Sequence, residues 1–227
     1  MLRMILKIFI FVSAVTTFVA LGGQYSKLLC SHPEYTCIKI KRGQSWERLW
    51  PDAQERRMVM RINRMNTELY SGITIAVPNN LANINYIDIA PFQEVIEPSA
   101  RNTVVVDIGK QAFAAYDRAG YLIHWGPVST AKGWCSDINR SCNTPRGTFY
   151  FYSKGGSGCF SSIYPVPDGG APMPYCMYFY RGYALHASEL PGYNDSHGCI
   201  RLFYEDALWL NRNFIELGRF GTRVVVR

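Results

Sequence analysis

From Arg101 to the C-terminus the chain is a succession of short apolar runs broken by Gly and Asp, and this limits the folds open to it. The pattern predicts strands over Thr103–Ile108, Gln111–Tyr116, Tyr121–Val128, Gly147–Tyr152, Met177–Tyr180, Tyr183–Ala187 and Arg223–Val226. Many short strands joined by turns imply a mostly antiparallel sandwich, so the fold class is mainly β with α. One helix interrupts the pattern. Phe203, Ala207, Leu210, Phe214 and Leu217 recur at helical spacing, with Glu205 and Asp206 near the start and Gly218 as the stop. Residues 154–176 form a loop too long to be a simple connection, rich in Gly, Ser and Pro, with Tyr164, Met173 and Tyr175 as its large side chains.

The chemistry concentrates in Ser196-His197-Gly198-Cys199-Ile200-Arg201-Leu202, with His186 thirteen residues before the cysteine. A thiol attacks as thiolate, and a neighbouring imidazole is the usual device for making one. Gly198 lets the backbone turn sharply, so the amides around Cys199 can face a developing oxyanion. This is cysteine acyl-transfer chemistry. A papain-like arrangement is excluded because there the cysteine precedes the histidine.

Seven cysteines is an odd number. In an exported protein an even set pairs and one is left, and Cys199 is the natural remainder. The other six fall as Cys30 and Cys37, Cys135 and Cys142, Cys159 and Cys176; pairing by proximity is one of about 15 possible connectivities. With neither a CxxC pair nor an HxxxH motif, no metal site is expected.

The Ser-His-Gly-Cys segment with an upstream histidine in a strand resembles the L,D-transpeptidase (YkuD-type) catalytic domain. The resemblance extends to Val104–Ile108, Gln111–Tyr116, Pro127-Val128-Ser129-Thr130 and Thr144-Pro145-Arg146-Gly147-Thr148-Phe149, in that order, and covers residues 101–227. Departures are Ala187 in place of the family's usual Gly, a short stretch between His186 and Cys199, and Ala131-Lys132-Gly133 after Ser129-Thr130.

The resemblance implies an exported enzyme that cleaves the bond between the L-centre and D-alanine in peptidoglycan stem peptides. Cys199 would form the thioester and His186 would serve as base and acid, oriented by the Ala187 carbonyl or the Ser188 hydroxyl. Amides of His197, Gly198 and Cys199 would line the oxyanion hole. His197 would stabilise the oxyanion or fix the loop, Ser196 would shape the loop, and Arg201 would meet a diaminopimelate carboxylate. No cofactor is implied. The partners are stem peptides, glycan and, as an acyl acceptor, a second stem or a protein. Hydrolysis at the same site (carboxypeptidase or endopeptidase) and a non-catalytic wall-binding protein are the alternatives.

The chain of 227 residues is 48% hydrophobic and 18% charged, enough for a real core, and carries a net charge of +7. No nucleic-acid motif accompanies that charge, and an acidic wall polymer suits it. Residues 1–22 read as a signal peptide. Arg3 and Lys7 precede an apolar run, and Ala20-Leu21-Gly22 offers a small-x-small cleavage site. Cleavage would leave a charge of about +5 and a periplasmic protein. The other reading is an inner-membrane anchor, for which the run is short. Leu29 directly before Cys30 argues against lipidation.

Residues 35–79 form a second unit in β-α-α-β order, opening on Thr36-Cys37-Ile38-Lys39-Ile40, with Ser45 placed to cap a helix and Met58, Ile62 and Met65 on one face of the next. Gly43, Gln44, Ser45 and Leu49, then Asn66, Leu69, Gly72, Ile73, Ile75 and Pro78, resemble a LysM module, which binds N-acetylglucosamine-containing glycan. Gln44 replaces that family's usual Asp. Residues 80–100, punctuated by Pro91 and Pro98, read as a linker of weak order.

Overall fold

A computed structural model describes residues 25–227, so the signal or anchor segment read at residues 1–22 lies outside the described residues. Among the described residues, no helix is long and apolar enough to cross a membrane.

A short helix α1 (Tyr25–Leu29) opens the described chain. The N-terminal unit follows with strand β1 (Tyr35–Lys39), helices α2 (Trp46–Leu49) and α3 (Ala53–Ile62), and strand β2 (Thr74–Pro78), β1 and β2 pairing antiparallel. Each helix has its cap. Ser45 Oγ accepts from the Arg48 amide, and Asp52 Oδ1 accepts from the amides of Gln54 and Glu55. Ile40, Trp46, Trp50, Val59, Met65, Ile73 and Ile75 close a small core of their own.

The C-terminal unit is one nine-stranded mixed sheet, not two packed sheets. Its strands are β3 (Thr103–Asp107), β4 (Ala112–Tyr116), β5 (Leu122–Ser129), β8 (Gly147–Tyr150), β9 (Ser153–Lys154), β12 (Met177–Tyr180), β13 (Tyr183–Ala187), β14 (Ile200–Leu202) and β15 (Arg223–Val226), in spatial order β8-β15-β3-β4-β5-β14-β13-β12-β9. Outside it lie two hairpins: β6 (Gly133–Cys135) with β7 (Arg140–Cys142), and β10 (Phe160–Ser161) with β11 (Ala171–Pro172). The β3–β15 and β13–β14 pairs are parallel and the rest antiparallel.

The expected sandwich becomes a single sheet because this sheet curls on itself. Phe149 on β8 reaches Phe179 and Tyr180 on β12, with ring centroids 5.5 and 4.9 Å apart, so opposite arms of the sheet meet across one apolar interior. Val104, Phe113, Val224, Met177, Leu185 and Ile200 share that interior. Strand twist supplies the curl, and burying both arms stabilises it by about 1.5–3 kcal/mol per fully buried large side chain.

The other face of β3–β5 is covered as well, which explains why these strands read as continuous apolar runs. Its cover is the segment read as a linker of weak order. Tyr86, Ile87, Ile89, Phe92 and Ile96 pack on Val105, Ala114, Tyr116 and Trp125. Tyr116 Oη donates to the Gln93 carbonyl at 2.8 Å, and the Leu122 amide donates to the Glu94 carbonyl at 2.8 Å.

The helix after Phe203 is shorter than its apolar stripe. Helix α4 (Tyr204–Trp209) widens into a π-turn over Leu210–Phe214, where the Ile215 amide bonds the Leu210 carbonyl at 2.8 Å. The wider turn puts Ile215 in the core and leaves Leu217 exposed, and the helical segment ends before Gly218. Lys154 Nζ caps its end by donating to the carbonyls of Asn211 and Ile215.

All three neighbour disulfides form: Cys30–Cys37, Cys135–Cys142 and Cys159–Cys176. Cys199 is the free cysteine.

Candidate active site

The parallel pairing of β13 with β14 builds the site. Register sets Leu185 opposite Ile200 and His186 opposite Arg201. Side chains alternate along a strand, so Leu185, Ala187, Ile200 and Leu202 enter the core while His186, Cys199 and Arg201 share the other face. That face floors an open groove of about 700 Å³, bounded by the β6–β7 hairpin, the 154–176 loop and the nucleophile loop.

His186 is buried, and its Nδ1 lies 2.9 Å from the Ala187 carbonyl oxygen. A carbonyl only accepts, so Nδ1 carries the proton and Nε2 is left with its lone pair. Of the two orienting groups expected from the sequence, Ala187 is the one in place. The Ser188 amide bonds the Leu202 carbonyl instead, and Ser188 lines the groove. Burial, with a smaller push from the Arg201 charge, lowers the His186 pKa to about 4. Burial also pushes the Cys199 thiol up, against the Ala184 backbone and Arg201. Both shifts favour the neutral forms, so the groove at rest holds a thiol and a neutral imidazole. At rest Cys199 Sγ lies 3.9 Å from the Gly182 carbonyl oxygen.

Short bonds hold the nucleophile loop. Ser196 Oγ donates to the Cys199 carbonyl at 2.6 Å and accepts from the Gly198 amide at 3.0 Å. Ser196 therefore shapes the loop, and it occupies one of the three amides read as oxyanion donors. Thr144 Oγ1 donates to the Gly198 carbonyl at 2.8 Å and accepts from the Ala131 amide at 3.0 Å. Gly198 has φ +149°, and a Cβ there would sit 2.5 Å from the Tyr183 ring. We expect Gly198→Ala to lower acylation at least about a hundredfold, because a 1 Å shift of a nucleophile costs that much. Rapid-quench mass spectrometry of the thioester measures it, and a rate within about threefold of wild type would show that the loop can re-form around a methyl group.

His197 faces the β6–β7 hairpin. Its Nε2 lies 2.7 Å from Asp137 Oδ2, and its ring stacks on Tyr164 at 5.3 Å and 16°. Tyr164 in turn accepts from Arg140 at 2.6 Å. Asp137, Arg140 and Thr144 escaped the sequence reading: the first two belong to the β6–β7 hairpin, distant in sequence from the nucleophile segment, and Thr144 was visible only as part of the Thr-Pro-Arg-Gly-Thr string. Arg201 lines the groove but pairs with Asp195 at 3.2 Å, whereas Arg140 has no carboxylate within salt-bridge distance among the described residues. In the long loop, Met173 lines the groove, while Tyr175 is buried and bonds Tyr204, making it an anchor. Cys135, Asp137 and His197 approach within 4.8 Å of one another, but Cys135 is spent in its disulfide and offers no thiolate to a metal.

Residues 101–226 match the family model for the YkuD L,D-transpeptidase catalytic domain. Among solved structures, an L,D-transpeptidase from Xylanimonas cellulosilytica is 28% identical, with a TM-score of 0.52 over 70% of this chain and 74% of that one. Another from Stackebrandtia nassauensis is 24% identical, with a TM-score of 0.46 over 62% of each chain. No curated protein matches. With a cysteine and a tautomer-fixed histidine on one face of its curled sheet, the chain belongs to the YkuD family of L,D-transpeptidases and is a cysteine acyltransferase acting on peptidoglycan.

Proposed function

We propose that Cys199 attacks the carbonyl of the L-centre of a stem peptide and expels D-alanine, with His186 Nε2 taking the thiol proton and returning it to the leaving amine. The thioester then passes to the amine of a second stem, giving a cross-link. The observation that carries this reading is the His186–Ala187 bond, which leaves a lone pair on Nε2 on the face that Cys199 shares. Since Ser196 holds the Gly198 amide, the oxyanion falls to the amides of His197 and Cys199. His197, held by Asp137 and Tyr164, acts as a brace for that loop.

Arg140, with no carboxylate in salt-bridge distance among the described residues, brings a positive charge to the groove that suits carboxylate-bearing stems, and Arg201 lines the same groove while paired with Asp195. The N-terminal unit serves as a LysM-type glycan-binding module; its β-α-α-β order with β1 beside β2 supports that reading. Family membership places the enzyme outside the cytoplasm, and three disulfides suit an oxidising compartment, which we take to be the periplasm.

The test is incubation of the purified chain with a diaminopimelate-containing disaccharide-tetrapeptide, followed by mass spectrometry. We expect a cross-linked dimer and free D-alanine, both lost in Cys199→Ala. Tripeptide and D-alanine without dimer would make the enzyme a carboxypeptidase, and identical traces from wild type and mutant would remove Cys199 from the reaction.

A further inference from the structure

The loop over residues 188–195, which links His186 to the nucleophile segment, is gripped from outside the catalytic unit. The Asn66 amide donates to the Leu190 carbonyl at 3.0 Å, and Asn66 Oδ1 accepts from the Leu190 amide at 2.7 Å. Thr67 adds a bond to the same carbonyl at 3.4 Å, and Met65 pairs with Pro191 in an antiparallel bridge. The Tyr25 amide donates to the Gly192 carbonyl at 2.8 Å. Gly192 has φ +87°, and a Cβ there would lie 3.3 Å from the Asn63 carbonyl oxygen, so the loop lies close against the N-terminal unit.

The second half of the loop is held by β5. Ser129 Oγ donates to the Tyr193 carbonyl and accepts from the Asp195 amide, at 2.8 and 3.0 Å, and Asn194 Oδ1 accepts from the Thr130 amide at 3.0 Å. Asp195 then pairs with Arg201, two residues past Cys199. Leu190 is fully buried, so its amide has no water to turn to if the Asn66 side chain is lost, while the backbone amides of Asn66 and Thr67 go on holding its carbonyl.

We propose that Asn66 is a positioning residue for the catalytic pair, so that the N-terminal unit is part of the catalytic machinery and not an independently tethered module. By pinning Leu190 at two points it sets where the chain leaves Ala187, whose carbonyl orients His186, and where it returns through Asp195 towards Cys199. This rests on the reading of His186 as the base.

The test uses the full-length chain with Asn66→Ala, and with Asn66→Asp, which keeps an oxygen acceptor for the Leu190 amide. Assays run well below the melting temperature of each variant. We expect Asn66→Ala to lower kcat for D-alanine release about tenfold with KM changed less than about twofold, and Asn66→Asp to restore most of it. Iodoacetamide alkylation of Cys199 across pH is the second readout, and its profile should change in Asn66→Ala and match wild type in Asn66→Asp. If Asn66→Ala fails to fold, Asn66→Gln, which displaces the amide by one methylene, carries the same measurements.

A folded variant lacking the Leu190 bond, with kcat and alkylation profile matching wild type, would reduce Asn66 to a structural contact and overturn the proposal. His186→Asn, measured alongside, separates the two readings. If its alkylation profile equals that of wild type, the base assignment falls; if it differs and Asn66→Ala does not, only the proposal for Asn66 falls.

Discussion

Asp206→Ala is expected to lower the unfolding free energy by about 3–5 kcal/mol, the usual cost of stripping one partner from a buried ion pair. Asp206 is almost fully buried at the start of α4. Its Oδ1 lies 2.9 Å from Arg61 Nη2 and 2.8 Å from His124 Nε2, and its Oδ2 lies 3.1 Å from Arg61 Nη1. Arg61 reaches over from α3 and also donates to the Trp125 carbonyl. The alanine variant would leave an arginine and a histidine facing an apolar pocket floored by Phe113 and Trp209.

Urea denaturation of wild type, Asp206→Ala, Arg61→Ala and the double variant measures the effect, and the double should cost less than the two singles added. A loss below about 1 kcal/mol would mean that water enters and solvates Arg61. Burial works against the Asp206 charge, but Arg61 and His124 outweigh it and hold its carboxyl below the ordinary 3.8. Its contribution is therefore complete above that value and is lost as pH falls through the lower, folded one. The same contact joins the N-terminal unit to the helix that follows the nucleophile, so acid should loosen the two units together.

The second large effect concerns His186. Replacing it with asparagine should slow acylation of Cys199 by about 10²–10⁴-fold, the usual contribution of a positioned general base. The wild-type pH profile carries a further mark. Burial holds His186 at about pKa 4, so the imidazole stays neutral and able to accept a proton well below pH 6. The acid limb of kcat/KM for D-alanine release is therefore expected near pH 4, with the rate falling below it as His186 is protonated. A limb near 6.5 would show that the imidazole of the free enzyme sits in water and is not desolvated by the resting groove. Measurements at constant ionic strength keep the Arg201 contribution fixed.

The short strands were legible in the sequence because their signals are local. Thr103–Asp107, Ala112–Tyr116 and Tyr183–Ala187 announce themselves by apolar content and turn residues within a window of ten. The nucleophile segment was legible for the same reason: Ser196, His197, Gly198 and Cys199 are contiguous, and Ser196 and Gly198 bond within their own turn. The odd cysteine number singled out Cys199, while choosing one pairing among the other six required the folded chain.

What tertiary structure decided were the long-range pairings. Curling into one sheet depends on Phe149 meeting Phe179, thirty residues on. Burying the 80–100 segment depends on the second face of β3–β5 needing a cover, which its own composition does not disclose. Asp137 beside His197, Asn66 on the Leu190 backbone and Asp206 on Arg61 join polar groups 60, 124 and 145 positions apart. Each polar residue of that kind looks like ordinary solvated surface in a sequence, and only packing removes the water that makes its partner matter.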